Sequence, residues 1–446
     1  MEFDISIPVL VPGWIFKVMS INNSLAIIMN GMNTIQKRQT VTNQNLANMD
    51  VAGYSRKELP VSTLTYGGRG TENRAAGVKA GEVTRASDPG LHRQISLMSA
   101  EQGYAEAIEQ YAKQAGGLNS SADGLSALPD ALTELSSSVA ALADHPASAA
   151  HAQAVAGSAA ELAGRIRGMD RDYQNLAVDA VRQRAGVTEQ MNDDLRELET
   201  VNRSLRGIAD VDLEDRRDAL VLSISAKSGA SVTRTRTGEA TFFGSDGKQL
   251  TAPIGDEAAS RITGGTIGGL SNVASALVPA WRADLDKLSA QLERSVNASG
   301  ITFFSGDRAG TIEASPELAE KLMSSGTSVQ SGQQLDGPGS GASPQPDGDE
   351  NHQSPIRSAY EALRSNANLA AEVGSAPASV ANQASHNLDN TRMRLGNAEV
   401  RMKERTGVDL ATEAADLLAQ RRAYEALGKA ASVNEDMWDT LMQILK

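Results

Sequence analysis

Two segments near opposite ends of the chain carry apolar side chains at helical spacing. In the first, residues 19–50, the repeated positions alternate in steps of four and three residues. These positions are Ile21, Leu25, Ile28, Met32, Ile35, Gln39, Thr42, Leu46 and Met49. Because this spacing places side chains along one stripe of a helix, we predict an amphipathic helix over 19–50 with one face available for packing.

The second segment, residues 407–446, repeats every seven residues. Its repeated positions are Leu410, Leu417, Tyr424, Ala431, Trp438 and Leu445, and Leu427 and Leu441 extend the same apolar stripe. Seven-residue repeats are typical of helices that pack lengthwise against other helices. We therefore predict that the two terminal helices pair, and that their apolar positions form an interface through which copies of the chain assemble.

The patterns between these helices predict a mainly α fold. It would consist of a long helical bundle or coiled-coil core, with paired N- and C-terminal helices and a small inserted β-unit. The expected order is an extension that is a tag or a mis-called start (1–18), an N-terminal axial helix (19–50), an extended segment followed by a long-helix domain (51–227), the β-unit (228–264), a helix that returns to the helical domain (265–323), a flexible loop (324–355), further helices (356–404) and a C-terminal axial helix (405–446). The loop is predicted because its Gly, Ser and Pro residues leave little apolar surface to bury.

Composition narrows the classes of partner. The 446 residues carry a formal net charge of −13, which argues against nucleic acid or an anionic membrane as the main partner. The chain has no cysteine, so it offers neither disulfides nor a thiol nucleophile. No apolar run reaches the ~18–20 residues that a membrane helix needs, so membrane insertion is not expected.

Candidate chemistry is sparse. The five histidines, His92, His145, His151, His352 and His386, show no metal-ligand spacing, and the glycine-rich segments 67–70 and 264–269 lack the residues of a phosphate-binding loop. The acidic pairs at 193–194 and 214–215 alternate with arginines at 196 and 216–217, which predicts solvated helix faces with local ion pairs. We therefore predict no enzyme activity, no cofactor and no metal site.

Segments at both ends of the chain resemble a known family. Residues 43–48 running into 51–56 resemble the amino-terminal signature of bacterial flagellar axial proteins, which include rod, hook and hook-associated proteins. Residues 408–413 and 420–426 resemble their carboxyl-terminal signature. On this resemblance the motif residues are Asn45, Asn48, Gly53 and Tyr54. In the middle of the chain, residues 213–220, 264–270 and 303–304 look like the hook-associated protein 1 family.

The resemblance implies a structural component of the flagellum at the junction between hook and filament. It implies as partners other copies of the chain, the hook protein, a second junction protein and an export chaperone at the C-terminal helix. It also implies type III export and an extracellular location. Two alternatives remain open: a flagellar rod or hook protein, and a cytoplasmic coiled-coil adaptor that dimerises through 407–446.

Overall fold

The computed structural model describes residues 13–51, 53–66, 74–118, 127–235, 238–331 and 354–444. Side chains at 13–22, 65–66, 74–76, 326–331, 441 and 444 lie outside this description. The helices are α1 (Gly13–Asn48), α2 (Pro89–Leu118), α3 (Leu128–Asp144), α4 (Ala149–Leu205), α5 (Val211–Ser228), α6 (Asp256–Ser260), α7 (Gly265–Asn272), α8 (Val278–Asn297), α9 (Leu318–Ser331), α10 (Pro355–Ser365), α11 (Ala367–Thr406) and α12 (Leu410–Ile444), and a π-helical turn (Val273–Leu277) joins α7 to α8. The strands are β1 (Lys57–Glu58), β2 (Val61–Tyr66), β3 (Arg74–Ala80), β4 (Thr84–Arg85), β5 (Ser231–Arg234), β6 (Ala240–Phe243), β7 (Phe304–Ser305) and β8 (Glu313–Ala314).

The helices α1 and α12 pair in an antiparallel arrangement. A Cβ atom at Gly31 would lie 3.0 Å from Leu427 Cδ1, and Gln420 Nε2 donates a hydrogen bond to Thr42 Oγ1 over 3.2 Å. Residue numbers therefore rise along α1 as they fall along α12. The mainly α fold with paired terminal helices, predicted from the sequence, is confirmed.

The body of the protein is built around α4, whose 57 residues span about 85 Å at 1.5 Å per residue. Its apolar face meets α3, α5, α8 and α9, while α2 and α11 pack along each other beside it. Fully buried side chains from distant parts of the chain meet in the main core, among them Leu135, Leu162, Leu285, Phe303 and Leu363. Among the described residues, no side chain of α1 or α12 belongs to this core.

The strands form antiparallel pairs, β1 with β4, β2 with β3, β5 with β6, and β7 with β8. The β5–β6 hairpin lies where the sequence predicts a small β-unit, and buried Phe242 packs it against the α4–α5 region. The β2–β3 hairpin lies against α1, with Gly77 beside Ile27. Within the described ranges, the strands thus pack on helices and form no sheet core of their own.

Two boundaries differ from the sequence prediction. The helix α1 already begins at Gly13, so it runs through Met19 without a break. The helix α9 continues to Ser331, inside the range predicted as a loop, because buried Leu318 and Leu322 anchor its first turns to the core. The rest of that predicted loop, 332–353, lies outside the described residues.

Among the helices of the described ranges, none combines the length and the apolar character needed to cross a lipid bilayer.

Two glycine substitutions test the packing of the body. A Cβ atom at Gly103 in α2 would lie 2.6 Å from the Ala226 carbonyl oxygen, whereas one at Gly157 in α4 would meet nothing within 4 Å. We expect Gly103→Ala to lower the free energy of unfolding by about 1–3 kcal/mol through overpacking. Gly157→Ala should raise it by up to ~1 kcal/mol through helix propensity. Denaturant unfolding followed by circular dichroism measures both, and equal effects would contradict the close approach at Gly103.

Candidate functional site: the joint between the terminal helices and the body

Three parts of the chain meet where α1 ends. They are the last turns of α1 with residues 53–57, the end of α11, and the first turns of α12. We call this contact region the joint. It contains all the motif residues predicted from the sequence, and it positions the terminal helix pair on the body.

Asn45 lies at the centre of the joint with 1% of its surface exposed. Its amide nitrogen donates to the Lys57 carbonyl oxygen over 2.9 Å and to Glu413 Oε1 over 3.2 Å. Its amide oxygen accepts from the Tyr54 hydroxyl over 3.0 Å and from the Lys57 backbone nitrogen over 2.9 Å. One side chain therefore connects α1, the strand β1 and α12, and its hydrogen-bonding capacity is filled.

Arg56 makes the second connection. Its Nε atom donates to Glu413 Oε1 over 2.8 Å, and its backbone nitrogen donates to the Thr406 carbonyl oxygen over 2.7 Å. Its own carbonyl oxygen accepts from the backbone nitrogen of Ala86 over 2.8 Å. Because Glu413 is only 2% exposed, the Arg56 guanidinium supplies the charge that this buried carboxylate requires.

The other motif residues shape the turn after α1. The Asn48 side chain donates to the Gln44 carbonyl oxygen over 2.9 Å at the helix end. Gly53 has a φ of +81°, a conformation that favours glycine. Burial, followed by the charge of Asp215, raises the pKa of Tyr54 to about 12, so its hydroxyl stays protonated and donates to Asn45. The motif residues therefore end the helix, form the turn that follows it and supply the hydroxyl that donates a hydrogen bond to Asn45.

A cluster of charged side chains attaches the joint to the body. We call it the charge cluster; its members are Arg85, His92, Glu214, Asp215, Arg217, Asp218 and Arg234. Arg85 in β4 donates to Glu214 over 2.6 Å, to Asp215 over 2.9 Å and to Asp218 over 2.5 Å. A single guanidinium thus binds three carboxylates that α5 presents on one face.

Asp218 is the buried anion at the centre of the charge cluster, with 3% of its surface exposed. Besides Arg85, its carboxylate accepts from Arg217 over 3.1 Å and from Arg234 over 2.8 Å. Burial alone would raise the pKa of Asp218, but the three guanidinium groups outweigh it and hold that pKa below its usual value. Asp218 is therefore ionised at neutral pH and stabilised by all three arginines.

Direct bonds also join residues 55 and 57 to α5. Ser55 Oγ donates to Asp215 Oδ1 over 2.5 Å, and the Ser55 backbone nitrogen donates to Asp215 Oδ2 over 3.3 Å. The Lys57 ammonium forms an ion pair with Asp212. The helix α5 therefore binds the residues that follow the turn. These residues in turn fix the position of the end of α1.

One sequence prediction is wrong here. The acidic and basic residues at 214–217 were expected to lie on a solvated helix face, yet the Arg217 side chain is only 4% exposed, as is the side chain of its partner Asp218. They lie on the side of α5 that faces β4 and β5, where each finds an oppositely charged partner. The prediction holds for Arg216, whose exposed guanidinium binds Glu197, and for the exposed pair of Arg196 and Asp193.

The predicted assembly residues are distributed along the α1–α12 pair. Ile28, Met32, Ile35, Leu46, Leu417, Tyr424, Leu427 and Trp438 are half-buried, whereas Leu25 and Leu410 are exposed. The side chains of Ile21 and Leu441, and the whole of Leu445, lie outside the described residues. The interface that these residues were predicted to form with other copies stays a prediction.

The most deeply buried residues between α1 and α12 are mostly polar. Among the described side chains of the two helices they are Thr34, Val41, Thr42, Asn45, Glu413, Gln420 and Asn434. The apolar stripe predicted from the sequence therefore lies beside a polar stripe that is more deeply buried. A signal for it was present, because 413, 420 and 434 share the same seven-residue spacing, but polar residues do not stand out in a search for apolar repeats.

Comparison with known proteins identifies part of the chain. Residues 118–253 match the family described as the flagellar hook-associated protein FlgK helical domain. This part of the chain is similar to that helical domain. The match spans α3 to β6 and includes α5, which carries the carboxylates of the charge cluster. The resemblance to hook-associated protein 1 predicted from the sequence is confirmed, while the terminal helices lie outside the matched range.

One solved structure is similar over part of the chain. It is the flagellar hook junction protein FlgK from Burkholderia pseudomallei, with 18% sequence identity and a TM-score of 0.42. The similar region covers 47% of this chain and 44% of that one, so the chain spans less than half of that protein's length. No curated protein sequence gives a significant match.

Arg217 and Arg216 provide a matched test of the charge cluster. Arg217→Met removes one of the three cations around the buried Asp218 carboxylate but leaves Arg85 and Arg234, so we expect a loss of about 1–3 kcal/mol in the free energy of unfolding. Arg216→Met breaks an exposed ion pair and should cost no more than ~1 kcal/mol. Urea unfolding measures both. Similar losses for the two variants would show that the charge cluster does not stabilise the body.

The charge cluster should also make stability depend on pH. Burial, reinforced by the nearby arginines and opposed by Asp218, lowers the pKa of His92. The unfolded chain takes up this proton near pH 6.5, but the folded protein takes it up only at lower pH. The free energy of unfolding should therefore fall as the pH drops below about 6.5.

His92→Gln removes this titration and should flatten the pH profile between about pH 7 and pH 5. The exposed His386→Gln variant is the control and should keep the wild-type slope. Urea unfolding across this range gives the slopes. If His92→Gln leaves the slope unchanged, His92 is not responsible for it.

Proposed function

We propose that this chain is a structural component of the bacterial flagellum at the junction between hook and filament. The observation that carries the proposal is the match of residues 118–253 to the FlgK helical domain. The joint supports it, because the motif residues predicted from the axial-protein resemblance meet at one place and fix the terminal helix pair to the body.

In this proposal the role is mechanical. Copies of the chain assemble through their terminal helices, and the body is carried outward from that assembly. A joint held by buried hydrogen bonds and ion pairs keeps each body at a fixed angle to the assembled helices. Because the body attaches through α5 as well as through the covalent chain, load on the body is spread over several contacts.

The long helices of the body favour this proposal over a rod or hook protein. Rod and hook proteins are expected to be mostly β between their terminal helices. Here α4 alone has 57 residues, and the strands of the described ranges occur as two-stranded pairs. A cytoplasmic coiled-coil adaptor is less well supported, because α12 already pairs with α1 of the same chain.

Gene deletion tests the proposed function. Cells that lack the gene should build hooks, fail to attach filaments and release filament protein into the medium. The full chain should restore filaments. Leu417→Asp with Leu427→Asp should not, since both changes place charges within the helix pair. An unchanged melting curve of the body would show that the double variant still folds, and filaments on deleted cells would contradict the proposal.

We propose further that an export chaperone binds α12 before assembly, with Trp438 as an anchor. The half-buried stripe of Leu417, Tyr424, Leu427 and Trp438 fits capture of a helix in a groove. It is covered in part by α1, so the chaperone would bind α12 only after the two helices separate. Trp438→Ala should weaken binding by about 2 kcal/mol, measured by calorimetry with the chaperone. Equal binding after deletion of 405–446 would place the chaperone site elsewhere.

A further inference from the structure

A cleft beside the joint is lined by three carboxylates and by one buried amide oxygen that has no hydrogen-bond donor among the described residues. It has a volume of about 230 Å³ and lies between α1, β1 and α12. This volume is below the ~300–1,000 Å³ of typical small-molecule pockets, so the cleft has room for one long side chain. The charged groups that line it are Arg38, Arg56, Glu58, Glu413 and Asp416, together with the Lys57 side chain, which is paired with Asp212.

Three of the acceptors share one cation. Arg56 lies 2.8 Å from Glu413, 3.0 Å from Glu58 and 3.8 Å from Asp416. Arg38 also lines the cleft, but within the described part of the chain it forms no ion pair. The three carboxylates around Arg56 carry three negative charges, whereas Arg56 and Arg38 together supply two positive charges. One negative charge in the cleft is therefore uncompensated.

The fourth acceptor has no partner in the described residues. Gln420 is 6% exposed; its amide nitrogen donates to Thr42, but its buried Oε1 atom has no hydrogen-bond donor. A buried acceptor left unpaired is unfavourable. A cationic side chain entering the cleft would supply donors to Gln420 and charge to Glu58 and Asp416 at once.

The chain itself exposes such a cation on the opposite side of α12. Arg422 lies two residues after Gln420, about 200° around the helix and about 3 Å along its axis. It is exposed and makes no ion pair or side-chain hydrogen bond within the described part of the chain. We call the face around it the outer face of α12. Leu418 and Val433 on this face are 51% and 57% exposed.

We propose that the outer face of α12 packs against the cleft of a second copy of this chain, with Arg422 of one copy inserted beside Glu58 and Gln420 of the next. The inference rests on the proposed function, because it names the contact through which the terminal helices assemble. The cleft and Arg422 lie at the same level along α12 but on opposite sides. The contact is therefore head-to-tail, and repetition extends it without closing a pair.

Cysteine cross-linking tests the contact directly, because the natural chain has no cysteine. The full-length chain carrying Glu58→Cys and Arg422→Cys is expressed in cells that lack the natural gene. Their sheared flagella are oxidised and separated without reducing agent. Since the two positions lie on opposite sides of one chain, we expect a ladder of covalent multimers. A mixture of the two single-cysteine chains should give dimers only.

The matched control moves the second cysteine by one residue. Arg421 lies about 100° away on the helix and pairs with Glu425 of its own chain, so Glu58→Cys with Arg421→Cys should cross-link at least tenfold less. Charge reversal is the second measurement. Arg422→Glu should lower incorporation into flagella at least tenfold, and Glu58→Arg in the same chain should restore most of it. Arg421→Glu should have little effect.

The outcomes separate this contact from the proposed function. If the chain is present in flagella but Glu58 and Arg422 do not cross-link, or if Arg422→Glu is incorporated normally, the contact is wrong and the proposed function stands. If even the unsubstituted chain is absent from flagella, both are wrong. A ladder together with rescue by the charge swap supports the contact.

Discussion

The buried carboxylate of Asp218 and the three guanidinium groups around it hold the terminal helices to the body. Arg85 reaches Asp218 from β4, Arg217 from α5 itself and Arg234 from β5. Because β4 pairs with β1, fixing Arg85 also fixes the strand that follows α1. An isolated buried charge is costly, whereas one surrounded by several partners holds each of them in place. The orientation of the terminal helices thus depends on an electrostatic arrangement deep in the body.

The joint and the charge cluster have different roles in positioning the terminal helices. In the joint, Asn45 and Arg56 connect α1, α11 and α12, and every contact of Asn45 is a hydrogen bond with a defined direction. Apolar packing alone would leave helices free to slide or rotate by small amounts, because the hydrophobic effect is non-directional. The directional hydrogen bonds of the joint therefore determine the angle between the helix pair and the body. Apolar contacts farther along the pair contribute buried surface area.

Periodicity predicted the helices well. The spacing of apolar residues along a helix is set by its 3.6-residue turn, and this spacing does not depend on the elements that the helix packs against. The helices α3 and α11 end at Asp144 and Thr406, just before a proline at 146 and a glycine at 407. The solvated face predicted for 214–217 is wrong at Arg217 for a physical reason. Arg85 and Asp218 are far apart in sequence, and a charged residue on an amphipathic helix is usually solvated. Only the fold shows that α5 turns these charges toward β4 and β5.

The polar stripe between α1 and α12 affects how the pair behaves. Thr42, Gln420 and Asn434 occupy positions where leucine would contribute more burial energy, so the pair is weaker than its length suggests. Polar residues in such positions favour one alignment over others, because a shifted helix would leave buried groups unpaired. A pair that is specific but weak can separate for binding to another protein and return to the same alignment. That combination would suit the proposed role, in which the terminal helices pass from a single chain into a repeated assembly.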